Sequence, residues 1–211
     1  CRIQNENSSS FHIGLIHAEV AQHASMTSHQ INFGAALARI DINAFLQGRE
    51  AHISMNGLQF ANGNQHHDTH TRVEHCVPYT CSREDYRGIA DQRSRVVFNG
   101  KVVVAEKAIK TDAQQSSRNL LLANTAEIDT KPELEIYNDD VKCAHGATVG
   151  QLDANALFYL RSRGLSEAQA RALLTHAFAD HIIAQLPVAS LRDQLTAAGH
   201  ARFGAQLEGV S

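Results

Sequence analysis

Short runs of alternating apolar and polar residues place the strongest constraint on how this chain folds. In ARIDINAFLQG the alternation stops at Gly48, and in HISMNGLQFANG it stops at Asn62-Gly63. The apolar positions of these runs and of two later ones, RVVFNGKVVV and ELEIYNDDV, are Ile40, Ile42, Ala44, Leu46, Ile53, Met55, Val96, Phe98, Val102, Val104, Leu134, Ile136 and Val141. A period of two residues with Gly, Asn and Asp at the ends predicts β-strands of about four to six residues between Phe11 and Val149.

Three all-β architectures fit this pattern: a sandwich, a barrel and a β-helix. No long helical pattern interrupts the region, which argues against βαβ units. Repeated short strands with Asn-rich turns favour a solenoid, in which each coil buries its inward face on the next. We therefore predict a parallel β-helix from residue 12 to about residue 149.

A different pattern begins after Gly150 and predicts a small helical tail. Asp153 can cap a first helix that runs through Leu160 and stops at Gly164. A capping box of Ser166 and Gln169 opens a second helix, which Pro187 closes. Its predicted apolar face consists of Ala170, Leu173, Leu174, Ala177, Phe178 and Ile182. A third, weaker helix is predicted from about Ser190 to Leu207, so the domains are residues 1–150 and 151–211.

Composition excludes several classes of protein. A net charge of −3 without a Lys/Arg cluster provides no basic surface for nucleic acid or for a membrane. No apolar run approaches the roughly 20 residues of a membrane helix. The first residues, CRIQNENSSS, lack an initiator methionine and the apolar core of a signal peptide, so we expect the numbering to begin inside a longer protein. The 4 cysteines form no disulfide framework, which favours reduced thiols in the cytoplasm.

The segment DVKCAHGATVG contains the first candidate site, a thiol at Cys143 and an imidazole at His145. On an extended strand both side chains project from one face. The pair is a weak candidate for a nucleophile and its base, because it lacks an orienting acid and the two groups point the same way. As metal ligands they suit a soft or borderline metal but do not complete a site. A purely structural role stays open.

The histidine-rich segment HHDTHTRVEH is the second candidate site. His66, Asp68 and His70 alternate, so on a strand they share a face with the chemistry of metal ligands. Exposed His and Asp are also ordinary on the polar face of a strand, and Cys76 and Cys81 do not have zinc-finger spacing. We therefore interpret His66, His67, Asp68 and His70 as surface residues.

The third candidate is the exposed end of the first predicted helix, FYLRSRG. Arg161 and Arg163 near a helix C-terminus are favoured by the macrodipole alone. The functional alternative is a docking surface for a partner protein.

The long run from Ala108 to Gly164, AIKTDAQQSSRNLLLANTAEIDTKPELEIYNDDVKCAHGATVGQLDANALFYLRSRG, strongly resembles the SufB/SufD family of iron–sulfur cluster assembly proteins. VFNGKVVV and HHDTHTRVEH fit the same family, so the resemblance covers essentially the whole chain. Within the family, VKCAHGATVG is similar to the SufD branch.

This resemblance implies a right-handed parallel β-helix followed by a C-terminal helical domain, with the family's N-terminal helical region absent. It implies a non-enzymatic scaffold that pairs with SufB through the β-helix and with the ABC-type ATPase SufC through its C-terminal helices. Those helices include Phe158, Tyr159 and Arg161. An isolated chain is expected to be able to form a homodimer through the β-helix instead.

The resemblance also implies a role for the first candidate site. His145 matches the family histidine at the SufB–SufD interface, and Cys143 is its neighbour in the same motif. The isolated chain is expected to hold no cofactor, and iron or an iron–sulfur cluster is expected only transiently in the assembled complex, where the partner supplies further ligands.

Two other classes of function compete with this one. Many carbohydrate-active hydrolases and lyases are β-helices, but their sites need paired carboxylates, and no such pair is obvious here. A stand-alone zinc protein would use the cluster from His66 to His75.

Overall fold

A computed structural model describes residues 1–204 of the chain. The chain divides into two compact units, Cys1–Val149 and a second unit that begins at Gly150. The first unit contains the strands β1 (Arg2–Gln4), β2 (Phe11–Val20), β3 (Ser25–Asn32), β4 (Leu37–Leu46), β5 (His52–Ala61), β6 (His66–His75), β7 (Cys81–Ala90), β8 (Arg95–Val104), β9 (Asp112–Leu121), β10 (Glu127–Ile136) and β11 (Lys142–Gly150). The second contains the helices α1 (Ala154–Ser162), α2 (Glu167–Ile183) and α3 (Ala189–Gly204).

Successive strands alternate between two sheets. One sheet has the order β1-β3-β5-β7-β9-β11 and the other β10-β8-β6-β4-β2. The strand pairs are parallel in both sheets. Equivalent positions recur after about 30 residues, which is the length of one coil of a solenoid. The predicted parallel β-helix is confirmed, and the sandwich and the barrel are excluded.

The strands are longer than the sequence pattern predicted. Strand β8 has 10 residues and runs straight through Asn99-Gly100. Gly100 faces inward, where an added Cβ would lie 2.2 Å from Nε2 of Gln115. Gly57 of β5 makes room in the same way, because an added Cβ would lie 2.2 Å from the Tyr86 ring. Gly57 therefore admits a large side chain from the next coil, and Gly100 admits one from the facing sheet. The prediction of four to six residues per strand is wrong.

Inward-facing side chains stack in columns along the solenoid. Ala44, Val73, Val102 and Leu134 lie opposite one another on β4, β6, β8 and β10. The apolar positions predicted for β4, β5 and β8 are buried in this core. Burying a Val, Leu or Ile side chain stabilises a fold by about 1.5–3 kcal/mol, so the repeated columns hold the coils together.

The corners between the sheets use left-handed backbone conformations. At one corner His23, Glu50, Tyr79 and Lys110 have φ of 58°, 60°, 62° and 59°. Their amides reach the next coil, as when Tyr79 N donates to Ile109 O at 2.9 Å. The same conformation recurs at the other corner in Ala35, Gly63 and Gln92.

The helical unit begins and ends largely where the sequence predicted. The Asp153 side chain accepts hydrogen bonds from Asn155 N and Ala156 N, and Gly164 has φ of 97°. The capping box of Ser166 and Gln169 is present at the start of α2. The predicted extension of the third helix to Leu207 lies outside the described residues.

The buried face of α2 differs from the prediction. Leu173 is 46% exposed and Ala177 is exposed as well. The buried residues are Ala170, Thr175, Ala179, Ile182 and Ile183. At 100° per residue, Leu173 and Ala177 lie on the side of the helix opposite Phe178 and Ile182. Apolar residues surround this helix, so periodicity alone did not identify the packed face.

Within residues 1–204, none of the helices combines the length and the apolar character needed to cross a membrane.

Candidate functional site

The last coil of the β-helix has two uncovered strand edges. Strands β10 and β11 each stand at the end of their sheet order. Along β11 every residue except Cys143 is exposed. An edge strand presents unpaired backbone N–H and C=O groups, which can pair with another chain.

The two edges differ in how well they can accept a partner strand. Strand β10 carries Pro132 at its centre and alternating charges. Several of these charges are paired to β8, as Lys101 is to Glu135 at 2.6 Å. Proline and charged side chains protect an edge from pairing. Strand β11 has small side chains around His145 and only one charged residue, Lys142, so it is the more open edge.

Apolar side chains at this end of the first unit are also exposed to solvent. Ile136, Tyr137 and Val149 are 41%, 62% and 44% exposed. Leu134, Val141 and Cys143 pack against the core but are only partly buried. The core thus ends in partly uncovered apolar surface, which is characteristic of interaction sites.

Cys143 lies on the inner face of β11. Its side chain packs against the core cluster that contains Ala113. Burial raises the pKa of the Cys143 thiol, although a backbone hydrogen bond at Ala113 opposes this effect. The thiol is therefore protonated at neutral pH, and a metal would have to displace its proton to bind.

His145 lies two residues further along β11 and is exposed. Because β11 is extended, His145 projects from the same face as Cys143, and Ala144 projects from the other. Within residues 1–204, no three His, Cys, Asp or Glu side chains are grouped to hold a metal ion. The pair is thus at most part of a site that another chain would complete.

The histidine-rich strand β6 divides its side chains between two environments. His67 is completely buried inside the solenoid, where its Nε2 donates to Gly34 O at 2.8 Å, so its interpretation as a surface residue is wrong. Asp68 and His70 lie on the outer face, 3.0 Å apart between Asp68 Oδ1 and His70 Nε2. The guanidinium of Arg39 also binds Asp68 Oδ2, at 2.6 Å. A cation already occupies the face that a metal would need, which agrees with a surface ion-pair role.

The remaining cysteines, Cys1, Cys76 and Cys81, are free thiols, and they do not belong to the group formed by Arg39, Asp68 and His70. Burial raises the pKa of the Cys76 thiol and of the Cys81 thiol. Neither has the lowered pKa that marks a reactive or metal-binding thiolate.

Sequence reasoning missed a polar network inside the β-helix. The Glu84 carboxylate accepts hydrogen bonds from Thr71 Oγ1 at 2.6 Å and from Gln115 Nε2 at 3.1 Å. These residues occupy inward positions of β6, β7 and β9 that the alternation assigns to apolar side chains. A polar residue at an inward position is the signal that could have identified them.

The helical unit presents a second exposed surface. Phe158 and Tyr159 of α1 are 74% and 57% exposed. The Arg163 guanidinium lies 5.1 Å from the centre of the Tyr159 ring, and Arg161 pairs with Glu167 at 3.5 Å. Two exposed aromatic rings beside arginines have the composition of a protein-binding surface.

These features define the chain as a parallel β-helix protein with a partly apolar open end that carries a thiol and an imidazole on its edge strand. A family model described as "SUF system FeS cluster assembly, SufBD core domain" matches residues 1–178. The chain belongs to this SufB/SufD family, as its sequence predicted.

Curated relatives agree with this assignment. The chain is 40% identical over 204 residues to the iron–sulfur cluster assembly protein SufD of Escherichia coli K12, covering 97% of this chain and 47% of the relative. It is 40% identical over 194 residues to a SufBD family protein of Synechocystis sp., covering 92% of this chain and 43% of that protein. The chain therefore spans less than half the length of these relatives, and the predicted likeness to SufD is confirmed.

Proposed function

We propose that this chain is the scaffold part of a SufD-like subunit in iron–sulfur cluster assembly. It pairs with SufB through the open end of its β-helix and with the ATPase SufC through its helical unit. The observation that carries the proposal is the uncovered last coil, where an open edge strand bears Cys143 and His145. The 40% identity to a protein named for iron–sulfur cluster assembly supports the same role.

In this proposal, strand β11 adds to the sheet of the partner β-helix. Backbone hydrogen bonds would provide affinity, and the exposed Ile136, Tyr137 and Val149 would add apolar contact. The charged, proline-containing edge of β10 would limit the interface to one register. Without SufB, the same edge could pair with a second copy of this chain.

Iron or the growing cluster is cargo at this interface. His145 and Cys143 supply an imidazole and a thiolate, both of which iron accepts, and the partner supplies the remaining ligands. The isolated chain then holds no metal there, because two ligands bind too weakly to retain it. The free thiols fit the reducing cytoplasm as the place of assembly.

The chain itself is a scaffold rather than an enzyme. Residues two apart on a strand are separated by about 7 Å along it. A nucleophile and its base must lie within hydrogen-bond reach, so Cys143 and His145 are better suited to share a ligand than to transfer a proton.

The test of this proposal is the iron content of the complex formed with SufB and SufC. We expect His145→Ala to leave folding and ATPase binding intact and to lower the iron or cluster content several-fold. Cys143→Ala should lower it less. His66→Ala on the outer face of β6 serves as the matched control and should change nothing.

If His145→Ala complexes build clusters at the normal rate, the assignment of the site is wrong.

A further inference from the structure

A buried amide oxygen lies in the layer of the β-helix directly beneath strand β11. Gln115 of β9 is 3% exposed, and its Nε2 donates to Glu84 Oε1 at 3.1 Å. Among the described residues, its other polar atom, Oε1, is buried and has no hydrogen-bond partner. Buried polar atoms are nearly always paired, so such an acceptor calls for an explanation.

The orientation of this amide is determined by its neighbours. Above about pH 7 the Glu84 carboxyl is ionised. Its Oε2 accepts from Thr71 Oγ1 at 2.6 Å, and its Oε1 faces the amide as an acceptor, which selects the NH₂ group. Glu84 lies on β7, on one side of β9, and β11 lies on the other. With Nε2 directed toward β7, the Oε1 atom is directed away from that strand.

The strand register places His145 over Gln115. The β7–β9 pair shows how a hydrogen bond marks the register. Cys81 and Asp112 lie opposite each other, and Asp112 N donates to the carbonyl of Thr80, the residue before Cys81. Lys142 N donates to Thr111 O at 2.8 Å in the same way, which sets Lys142 opposite Asp112. Counting along both strands then sets Cys143 opposite Ala113, a member of the core cluster against which Cys143 packs, and His145 opposite Gln115.

We propose that Gln115 is a positioning residue for His145: its Oε1 accepts a hydrogen bond from one imidazole N–H. His145 is exposed, and its side chain can rotate inward to make this bond. The inference rests on the proposed iron-binding role of His145.

A hydrogen bond of this kind would decide which ring nitrogen carries the proton. The nitrogen that donates to Gln115 is protonated, so the other nitrogen keeps its lone pair for iron. Metal-binding histidines commonly donate their second N–H to a fixed acceptor, which sets both the tautomer and the ring orientation. Glu84 and Thr71 would hold the acceptor itself in place.

The first experiment is nitrogen NMR of the ¹⁵N-histidine-labelled chain at a pH where the imidazole is neutral. We expect the two ring nitrogens of His145 to show one dominant tautomer in the wild-type chain. Gln115→Met keeps the length of the side chain but removes the acceptor, so the tautomer preference should be lost. Gln115→Glu keeps an acceptor, because a proton shared with Glu84 can replace the lost N–H bond, and it should preserve the preference.

Gln114→Met is the matched control, because Gln114 is the exposed neighbour on the outer face of β9. It should leave the His145 signals unchanged. If Gln115→Met does not fold, Gln115→Asn withdraws the oxygen by one methylene and tests the same bond. Unchanged His145 tautomer populations in the folded Gln115 variant overturn the inference.

The second readout is the iron content of the complex with SufB and SufC. Gln115→Met should lower it several-fold, and Gln115→Glu should restore it. Normal iron in His145→Ala contradicts the proposed function, whereas the tautomer measurement on the chain alone tests the Gln115 bond independently. Normal iron in Gln115→Met, together with reduced iron in His145→Ala, overturns the positioning role alone.

Discussion

Among single residues, Glu84 and His75 are ionisable side chains inside the β-helix whose pKa values are shifted in opposite directions by burial. Burial raises the pKa of Glu84 to about 7, although the hydrogen bonds from Thr71 and Gln115 oppose the shift. Burial, assisted by the nearby Arg83 cation, lowers the pKa of His75 to about 4. The His75 ring lies between the hydroxyls of Thr80 and Ser82, at 2.7 Å and 2.8 Å.

These shifts give opposite dependences of stability on pH. Glu84 binds its proton more tightly in the folded state, so its contribution is complete below pH 4.5 and is lost as the pH rises to about 7. His75 binds its proton more weakly when folded, so its contribution is complete above pH 6.5 and is lost as the pH falls to about 4. Each pKa shift corresponds to a change of about 3 kcal/mol in the free energy of unfolding. The two changes have opposite signs, so they largely cancel in the pH range where both groups titrate.

The Glu84→Gln variant should reveal how the free energy of unfolding depends on the protonation of His75. The amide cannot ionise, and its single oxygen still accepts from one of the two donors, Thr71 or Gln115. We expect the free energy of unfolding of the variant to rise by about 2 kcal/mol between pH 4.5 and 6.5, while the wild type changes little. Urea unfolding across this range measures it, with Glu106→Gln on the surface as the control. A variant profile parallel to that of the wild type would contradict the prediction.

At the scale of the elements, the left-handed corners are the strained parts of each coil. An L-residue in this conformation costs about 1–2 kcal/mol relative to glycine, which adopts it freely. Gly63 occupies one such corner with φ of 67°, and the exposed Gln92 occupies the equivalent corner of the next coil with φ of 57°. The Gln92 carbonyl accepts a hydrogen bond from Thr125, and any residue can supply that carbonyl.

Gln92→Gly should therefore stabilise the chain, and Gly63→Ala should destabilise it. The gain at residue 92 should be about 0.5 kcal/mol, because the flexibility of glycine in the unfolded state offsets part of the relieved strain. The loss at residue 63 should be about 1 kcal/mol and should arise from the backbone alone, since an added Cβ meets nothing within 4 Å. Chemical denaturation of both variants measures these changes. Gln92→Gly less stable than the wild type would refute the strain argument.

At the scale of the whole molecule, the proposed function assigns a separate binding role to each of the two compact units. The β-helix would hold the partner β-helix and the cargo, and the helical unit would hold the ATPase. Exposed aromatic anchors such as Phe158 and Tyr159 provide a large share of binding energy at protein interfaces.

Replacing both Phe158 and Tyr159 with alanine should weaken ATPase binding at least about tenfold, because such anchors each contribute 1 kcal/mol or more. Phe11→Ala, which removes an exposed aromatic ring from the β-helix, is the control and should have little effect on ATPase binding. Deleting residues 151–211 should abolish ATPase binding and leave the partner β-helix contact. Binding measured by titration calorimetry checks these expectations, and full ATPase binding by the deleted chain would exclude the helical unit as the docking site.

The sequence by itself determined the class of fold, since alternation such as that of β4 buries one face of a strand wherever that strand lies. It also determined the helix boundaries, because Asp153 and the Ser166–Gln169 capping box act through hydrogen bonds a few residues away. Only the tertiary structure decided the length of β8, since Gly100 makes room for Gln115 on β9 of the facing sheet. The tertiary structure also decided which face of α2 is packed, and it decided the strand register that sets His145 opposite Gln115. These features depend on contacts between residues about 15 positions or more apart or on different helices, and local patterns carry no information about which distant side chain arrives.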